Sequence, residues 1–551
     1  MRVIERRIGL LFAAFLLCFL IVLVRAFWLQ GVRGAELASE AAGQQRATIT
    51  VPGLRGGVLD RHGRGLAVSE EAASIYATPY QLKDPGHAAA ELAPLLDLRE
   101  DEVLEALSSN SGFAYLARKV DLSTAAEIAA LKLPGIGQLP DSRRLYPQGH
   151  LAAQVIGTVG TDNQALSGLE VGLDEVLHGS DGERIVVRDA LGEPIRLEIL
   201  SPDSDGEDIQ LTLDWAIQKQ TERVLAEVGA SYQPRGASAV VMDPRTSEVL
   251  AMANWPPLDP EDLSEASNQD LLNQTTGFTY EPGSTFKAFT IAAALEEGMV
   301  TPDTPYTLPP TLKVYDRLIE ESHARGTETL SVADILAQSS NVGAVTIGLQ
   351  LGGERFSRWI ERFGFGRTTG ISFPGEERGI VPELEEYSGS TMGNLPLGQG
   401  LAVTPIQMMA AYAAIANGGI LRPPRLVKEV AGQALPTPPG RRVIDEGVAS
   451  QVLEMLEGVL APGGTASEVS VPGYTLAGKT GTSQVAENGG YSETKFVASF
   501  IGFAPAENPR LLVAVVVDQP QGEDYYGGTV AAPAFGEIAE FALPYLGVPP
   551  Q

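Results

Sequence analysis

The chain has 551 residues, enough for two or more domains with ample cores. Its formal net charge of −29 argues against nucleic-acid binding and leaves no polybasic patch for anionic lipid. A single cysteine, Cys18, excludes an intrachain disulfide, and five histidines without a Cys/His cluster give no zinc pattern and no sign of a cofactor.

Residues 8–24 form an uncharged apolar run that continues to Leu29 past Arg25. Its length suits a bilayer span. A cleaved signal peptide would have a shorter apolar region and a small-residue cleavage site. Here the run ends in Arg-Ala-Phe-Trp-Leu-Gln, with Trp28 placed like an interfacial aromatic. The reading is an uncleaved anchor over 8–29. Arg2, Arg6 and Arg7 precede it and favour a cytoplasmic N-terminus, so 1–7 is a cytoplasmic tail and the rest is extracytoplasmic.

Residues 30–206 mix short strand-like runs with Glu-rich helical stretches, among them helix candidates at 99–107 and 124–133. The polar stretch 201–208 reads as a linker. A strand follows at 209–213, and Asp214 suits the N-cap of a helix reaching Val228. Strands are expected at 237–243 and 248–253, around a turn at 244–247. Ser284 follows a Pro-Gly turn and opens the run 288–295, apolar nearly all round, as in a buried helix closed by Gly298. Residues 331–351 are helical in pattern, begin with a capping-type Ser331 and Asp334, and are interrupted by Ser339-Ser340-Asn341. Strands at 474–479, 496–502 and 511–518 and a helix at 530–546 complete the chain. Strands at both ends of 207–551, with helices between, suggest one sheet with helices on its faces, an α+β fold.

Lysine is scarce, 9 against 31 arginines. Two of the nine fall in chemically suggestive places. Ser284 and Lys287 stand at i and i+3, on one helix face. Lys479-Thr480-Gly481-Thr482 sets a second amine beside two hydroxyls and a glycine, with Ser339-Ser340-Asn341 between the two segments. Each piece alone is weak. A second Ser-x-x-Lys occurs at Ser492/Lys495, and a second Ser-Ser-Asn at 108–110. Order separates them, since 108 precedes any nucleophile and 492 follows Lys479. A serine needs a base, and lysine serves near neutral pH only when desolvation or a nearby cation lowers its pKa. Ser284 is then the nucleophile and Lys287 the base, with Ser339 as proton relay. Asn341 would bond a substrate amide and Lys287. Lys479, Thr480 and Thr482 would hold a carboxylate. Gly481 would admit the substrate backbone, and the N–H groups of Ser284 and Thr482 would form an oxyanion hole.

The ordered trio resembles that of the penicillin-binding proteins. The segment Arg55-Gly56-Gly57-Val58-Leu59-Asp60-Arg61-His62-Gly63 is similar to the pedestal opening of class B members, with His62 where Asn is usual. Arg143-Arg144-Leu145-Tyr146-Pro147 and Gly168-Leu169-Glu170, with Gly179 and Gly182, resemble further pedestal signatures. Gly398-Gln399-Gly400 with Val403-Thr404-Pro405-Ile406-Gln407 resembles the segment between the second and third motifs, and 477–484 and 500–505 complete the likeness. The resemblance implies an elongated mixed pedestal over 30–206 and a transpeptidase domain with an antiparallel sheet over 207–551. It implies a D,D-transpeptidase that cross-links peptidoglycan stem peptides through a Ser284 acyl-enzyme, releases D-Ala and is acylated by β-lactams. It also implies partnership with a SEDS-type glycosyltransferase (FtsW-like or RodA-like) and other division-complex membrane proteins. The segment 527–535 resembles the division-type (FtsI-like) branch more than the elongation branch. A D,D-carboxypeptidase, a β-lactamase or an idle division scaffold would share parts of this pattern.

Overall fold

The computed structural model describes residues 2–36, 46–188, 194–487 and 489–550. The N-terminal helix Arg2–Phe27 continues as a π-turn, Trp28–Val32. Over Ile4–Val32 it is apolar enough to cross a membrane, with a mean hydropathy of 2.8, and its apolar side chains are exposed. A helix exposing leucine, isoleucine and phenylalanine all round is unfavourable in water and suits a bilayer.

The chain divides into two compact units. One holds residues 1–54, 70–143 and 179–206. Its core sets Ala73, Ile75 and Ala77 of a strand against Ala88, Ala89 and Leu92 of the helix Pro85–Leu96, with Leu107 and Ile128. Asp84 starts that helix by accepting from His87 N (3.0 Å), and Asp121 starts Leu122–Ala130 by accepting from Thr124 N (2.9 Å). The helices read at 99–107 and 124–133 are observed as Glu100–Leu107 and Leu122–Ala130. A separate antiparallel sheet joins Arg46–Val51, Gly182–Arg188 and Pro194–Ser201.

The second unit holds 55–69, 144–178 and 207–551. Two segments read from the sequence as pedestal therefore pack with the C-terminal region. Val58–Leu59 pairs in parallel with Ile209–Leu211, Gln148 Oε1 accepts from Trp215 Nε1 (2.7 Å) and Glu222 Oε1 accepts from Ala152 N (2.7 Å). Buried Glu170 ties the two segments to each other through buried Arg55 and Arg144 (2.7 Å), and Arg144 also donates to Gly56 O (2.7 Å). Separating buried partners would strand a charge in the interior, a loss of about 3–5 kcal/mol.

The sheet of this unit is antiparallel and five-stranded. Its strands are β1 (Gly236–Asp243), β2 (Glu248–Trp255), β3 (Ala477–Glu487), β4 (Gly490–Ala504) and β5 (Leu511–Asp518), in the order β2-β1-β5-β4-β3. Its helices are α1 (Trp215–Tyr232), α2 (Lys287–Glu296), α3 (Val332–Ala337), α4 (Asn341–Leu351), α5 (Pro405–Ala416), α6 (Glu446–Glu457) and α7 (Ala532–Tyr545). Alternation along β4 shows both sheet faces covered. Phe500 meets Phe535 of α7, and Phe503, of opposite parity, meets Tyr412 of α5. Burial on both faces explains why β5 is a continuous apolar run, Leu-Leu-Val-Ala-Val-Val-Val, rather than an alternating one. Helix α2 is buried from Lys287 to Leu295 among α4, α5 and α6, and the chain turns away at Gly298, where φ is +65°.

Candidate active site

Ser284 lies in a 3₁₀ turn, Gly283–Phe286, that runs straight into α2. The turn is pinned from several directions. Gly283 N donates to Gly398 O (3.0 Å). Thr285 Oγ1 donates to Pro282 O (2.7 Å), and Tyr412 Oη, reaching from α5, donates to Thr285 O (2.6 Å). Ser483 Oγ on β3 donates to Glu281 O (2.7 Å). Glycines make this approach possible. Gly283 has φ +54°, and a Cβ on Gly398 would stand 2.3 Å from Gly283 O. The turn therefore fixes the Ser284 backbone and leaves its half-buried side chain at the open edge. Among the described residues its hydroxyl has no hydrogen-bond partner.

Lys287 begins α2 and is 0% exposed. Its Nζ donates to Ser339 O (2.7 Å), Ser339 Oγ (3.2 Å) and Asn341 Oδ1 (2.7 Å). Burial pushes the amine down to about 7; the carboxylate of Glu321 opposes that and the guanidinium of Arg325 adds to it. Near neutral pH this amine is thus divided between an ammonium and a neutral form whose lone pair can take a proton.

Ser339 sits between α3 and α4 with φ +58°, an uncommon conformation for a residue with a Cβ. Its neighbour Ser340 caps α4 by accepting from Gly343 N (2.9 Å). Sequence pattern suggests a polar loop facing a cleft, but Ser340 is wholly buried, and only Ser339 and Asn341 turn to the lysine. Asn341 Nδ2 donates to Glu320 O (2.8 Å), which sets the amide orientation that presents Oδ1 to Lys287.

On β3, Lys479 is also 0% exposed; its Nζ reaches Thr480 O (3.2 Å) and Thr480 Oγ1 (3.4 Å). Burial, and then the charge of Lys287, hold it well below the ordinary lysine range. The strand is the sheet's edge, so among the described residues one side of its backbone has no strand partner. Thr480 Oγ1 lies 2.7 Å from Thr465 Oγ1, and Thr482 Oγ1 accepts from Gly527 N (3.0 Å). A Cβ on Gly481 would come within 2.9 Å of Pro282 O, so glycine lets the strand lie against the serine turn. The structure thus gathers Lys287, Ser339 and Asn341 by direct hydrogen bonds and sets β3 beside the turn that carries Ser284.

The two decoys lie elsewhere. Ser492 Oγ accepts from Lys495 N (3.3 Å), and Lys495 Nζ pairs with Glu487 across the hairpin (2.7 Å). Residues 108–110 follow the helix Glu100–Leu107 in the other unit.

Sequence reasoning missed two groups. Glu321 and Arg325 form an ion pair (2.9 Å) behind Ser340 and Asn341. Glu281, three residues before Ser284, accepts from Gly400 N (2.9 Å) and Tyr491 Oη (3.0 Å). The glutamate in Glu281-Pro282-Gly283 was visible beside the nucleophile. Nothing in the spacing marked Glu321.

The wider likenesses agree with this geometry. Residues 237–540 match the penicillin-binding protein transpeptidase domain, and 50–211 match the penicillin-binding protein dimerisation domain. The chain is 37% identical to stage V sporulation protein D of Bacillus subtilis, over 97% of this chain and 84% of that protein. It is 35% identical to the peptidoglycan D,D-transpeptidase FtsI of Escherichia coli K12, over 100% of this chain and 93% of that protein. Its fold is similar to that of penicillin-binding protein 3 of Mycobacterium tuberculosis complexed with aztreonam, with a TM-score of 0.72 and 30% identity over 91% of this chain and 98% of that one. With both domain types matched in order, and with relatives of this identity along nearly its whole length, the chain belongs to the class B penicillin-binding proteins.

Proposed function

We propose that this protein is a serine-type peptidoglycan D,D-transpeptidase of septal wall synthesis, and a target of β-lactams. The observation that carries the reading is Lys287: a fully buried amine, bonded to Ser339 and Asn341, one helical turn from a serine with an unpartnered hydroxyl. Neutral Lys287 takes the proton of Ser284 as Oγ attacks the carbonyl carbon of the penultimate D-Ala. The N–H groups of Ser284 and Thr482 stabilise the oxyanion. The C–N bond to the terminal D-Ala breaks, its nitrogen leaves with a proton relayed through Ser339, and an acyl-enzyme remains. An amine of a neighbouring stem peptide then attacks the ester and restores Ser284. Lys479, Thr480 and Thr482 receive the donor carboxylate, Asn341 its amide, and Gly481 lets the peptide lie along the edge of β3. Lys479 is held low by burial, so an incoming carboxylate gives its proton uptake a favourable partner.

We further propose a cytoplasmic tail over 1–7, a membrane anchor over 8–29, a pedestal over 30–206 and a transpeptidase domain over 207–551. The basic residues before the apolar helix and the matched family spans support this division. The anchor sets the site on the extracytoplasmic side of the membrane, where it can work with a SEDS-type glycosyltransferase and other division-complex proteins. Relatives named FtsI support the division branch. A fluorescent penicillin is expected to label the wild-type chain and to leave Ser284→Ala unlabelled; labelling of that variant would overturn the assignment. Depletion in the native cell is expected to give filaments, whereas rounded cells would place the protein in elongation.

A further inference from the structure

Behind the catalytic loop lies a carboxylate that the mechanism above does not use. Glu321 follows the hairpin of Thr311–Val314 and Arg317–Glu320, and its side chain is 3% exposed. It accepts from Ser340 Oγ (2.6 Å), Asn341 N (2.7 Å) and Val342 N (3.3 Å), and pairs with Arg325 Nη2 (2.9 Å). Three of these four bonds go to consecutive residues at the start of α4. Glu321 thus satisfies free backbone donors of that helix and holds the hydroxyl of the residue between Ser339 and Asn341. The preceding residue joins in, since Glu320 O accepts from Asn341 Nδ2 (2.8 Å). One short segment therefore orients Asn341 directly and holds Ser340, the residue next to Ser339.

We propose that Glu321, with Arg325, is a positioning residue for acylation: it clamps the Ser339–Asn341 segment onto Lys287 and supplies the negative charge that this buried amine feels. The inference rests on Lys287 acting as the base of Ser284. The charged groups around the amine are Glu321 and Arg325 from the segment after the hairpin and Lys479 from β3. Glu321 favours the ammonium and Arg325 disfavours it. Burial alone would raise the carboxyl of Glu321, but donors from Ser340, Arg325 and Asn341 keep it below its ordinary value, so it is ionised throughout the range in which Lys287 titrates.

The two partners therefore pull the amine in opposite directions, and a structural role would not. The test is the pH dependence of the second-order rate of acylation by a fluorescent penicillin, measured on the full chain in detergent. Acylation needs neutral Lys287, so the wild-type rate rises with pH through about 7. In Glu321→Gln the amine loses a proton more readily, and the rise is expected to shift to lower pH. In Arg325→Met it keeps its proton longer, and the rise is expected to shift to higher pH. Arg325→Met leaves the bonds from Glu321 to Ser340, Asn341 and Val342 in place, so it tests the electrostatic arm even if Glu321→Gln fails to fold. Profiles that superimpose on the wild type, or shifts of the same sign in both variants, would overturn the proposal. Labelling of Ser284→Ala in the same assay would instead overturn the reading of Ser284 on which it rests.

Discussion

Two segments of this chain carry the same Ser-x-x-Lys spelling and share almost nothing physically. At Ser284/Lys287 the lysine is wholly buried, bonded to a carbonyl, a hydroxyl and an amide, and in no ion pair among the described residues. At Ser492/Lys495 the lysine stands in a solvent-facing hairpin and is neutralised by Glu487. The serine of the first segment has a free hydroxyl, whereas that of the second accepts from its own turn. Spacing of three residues is common to both. What differs is desolvation, which takes the first amine to about 7. Reactivity follows the surroundings of the pair and not its spelling.

The sharpest way to break this contrast is to remove each amine in turn. Lys287→Met keeps the stem and deletes the base. General-base catalysis contributes roughly 100- to 10,000-fold, so acylation by penicillin is expected to fall by about that factor. Lys495→Met is expected to leave the rate unchanged. Stopped-flow or timed gel labelling of the two variants checks this, and comparable losses in both would end the distinction.

A second, smaller effect concerns glycines near each segment. A Cβ on Gly527 would stand 2.3 Å from Gly481 O and equally close to Ser499 O, both backbone atoms. The turn at Gly527 also donates to Thr482 Oγ1. Gly527→Ala must therefore push β3 or the turn aside. Overpacking of this kind costs about 1–3 kcal/mol, and the displaced Thr480–Thr482 should slow acylation as well. Gly490, beside the second segment, has open space where its Cβ would be. Gly490→Ala is expected to change stability by less than about 0.5 kcal/mol. Thermal or denaturant unfolding of both variants, with labelling rates, measures the difference.

Much of this was readable in the sequence, for reasons that can be named. The run 288–295 shows burial because it is apolar on every face, and the order of the three motifs excluded both decoys. The capping residues Ser331 and Asp334 marked the start of α3, where the full reciprocal pair of bonds is observed. The sheet was legible strand by strand, although β3 starts at Ala477 and runs to Glu487 rather than over 474–479. The rest depends on contacts between distant residues. Glu321 reaches Asn341 from the end of a hairpin, 20 positions away, and no local period encodes that bond. The left-handed turn at Ser339 is equally hidden, since serine is not a residue that announces a positive φ. The pairing of Val58–Leu59 with Ile209–Leu211 and the Arg55–Glu170–Arg144 ion triad likewise join residues far apart in sequence and are assembled only in three dimensions.

The smallest expected effect falls on the decoy itself. Lys495 and Glu487 form an ion pair at 2.7 Å with side chains 47% and 36% exposed. Water screens such a pair, and ordering two long side chains offsets part of its attraction, so pairs of this kind contribute little to stability. Lys495→Met should therefore lower the unfolding midpoint only slightly, and less still at high salt. Lys287→Met at the same salt concentrations should show less salt dependence, because the amine is 0% exposed and its direct hydrogen-bond partners are neutral. Unfolding midpoints at low and high ionic strength separate the two lysines by the origin of their stabilisation. A Lys287 as salt-sensitive as Lys495 would mean that solvent ions screen the amine, and the burial that distinguishes the first segment from the second would no longer hold.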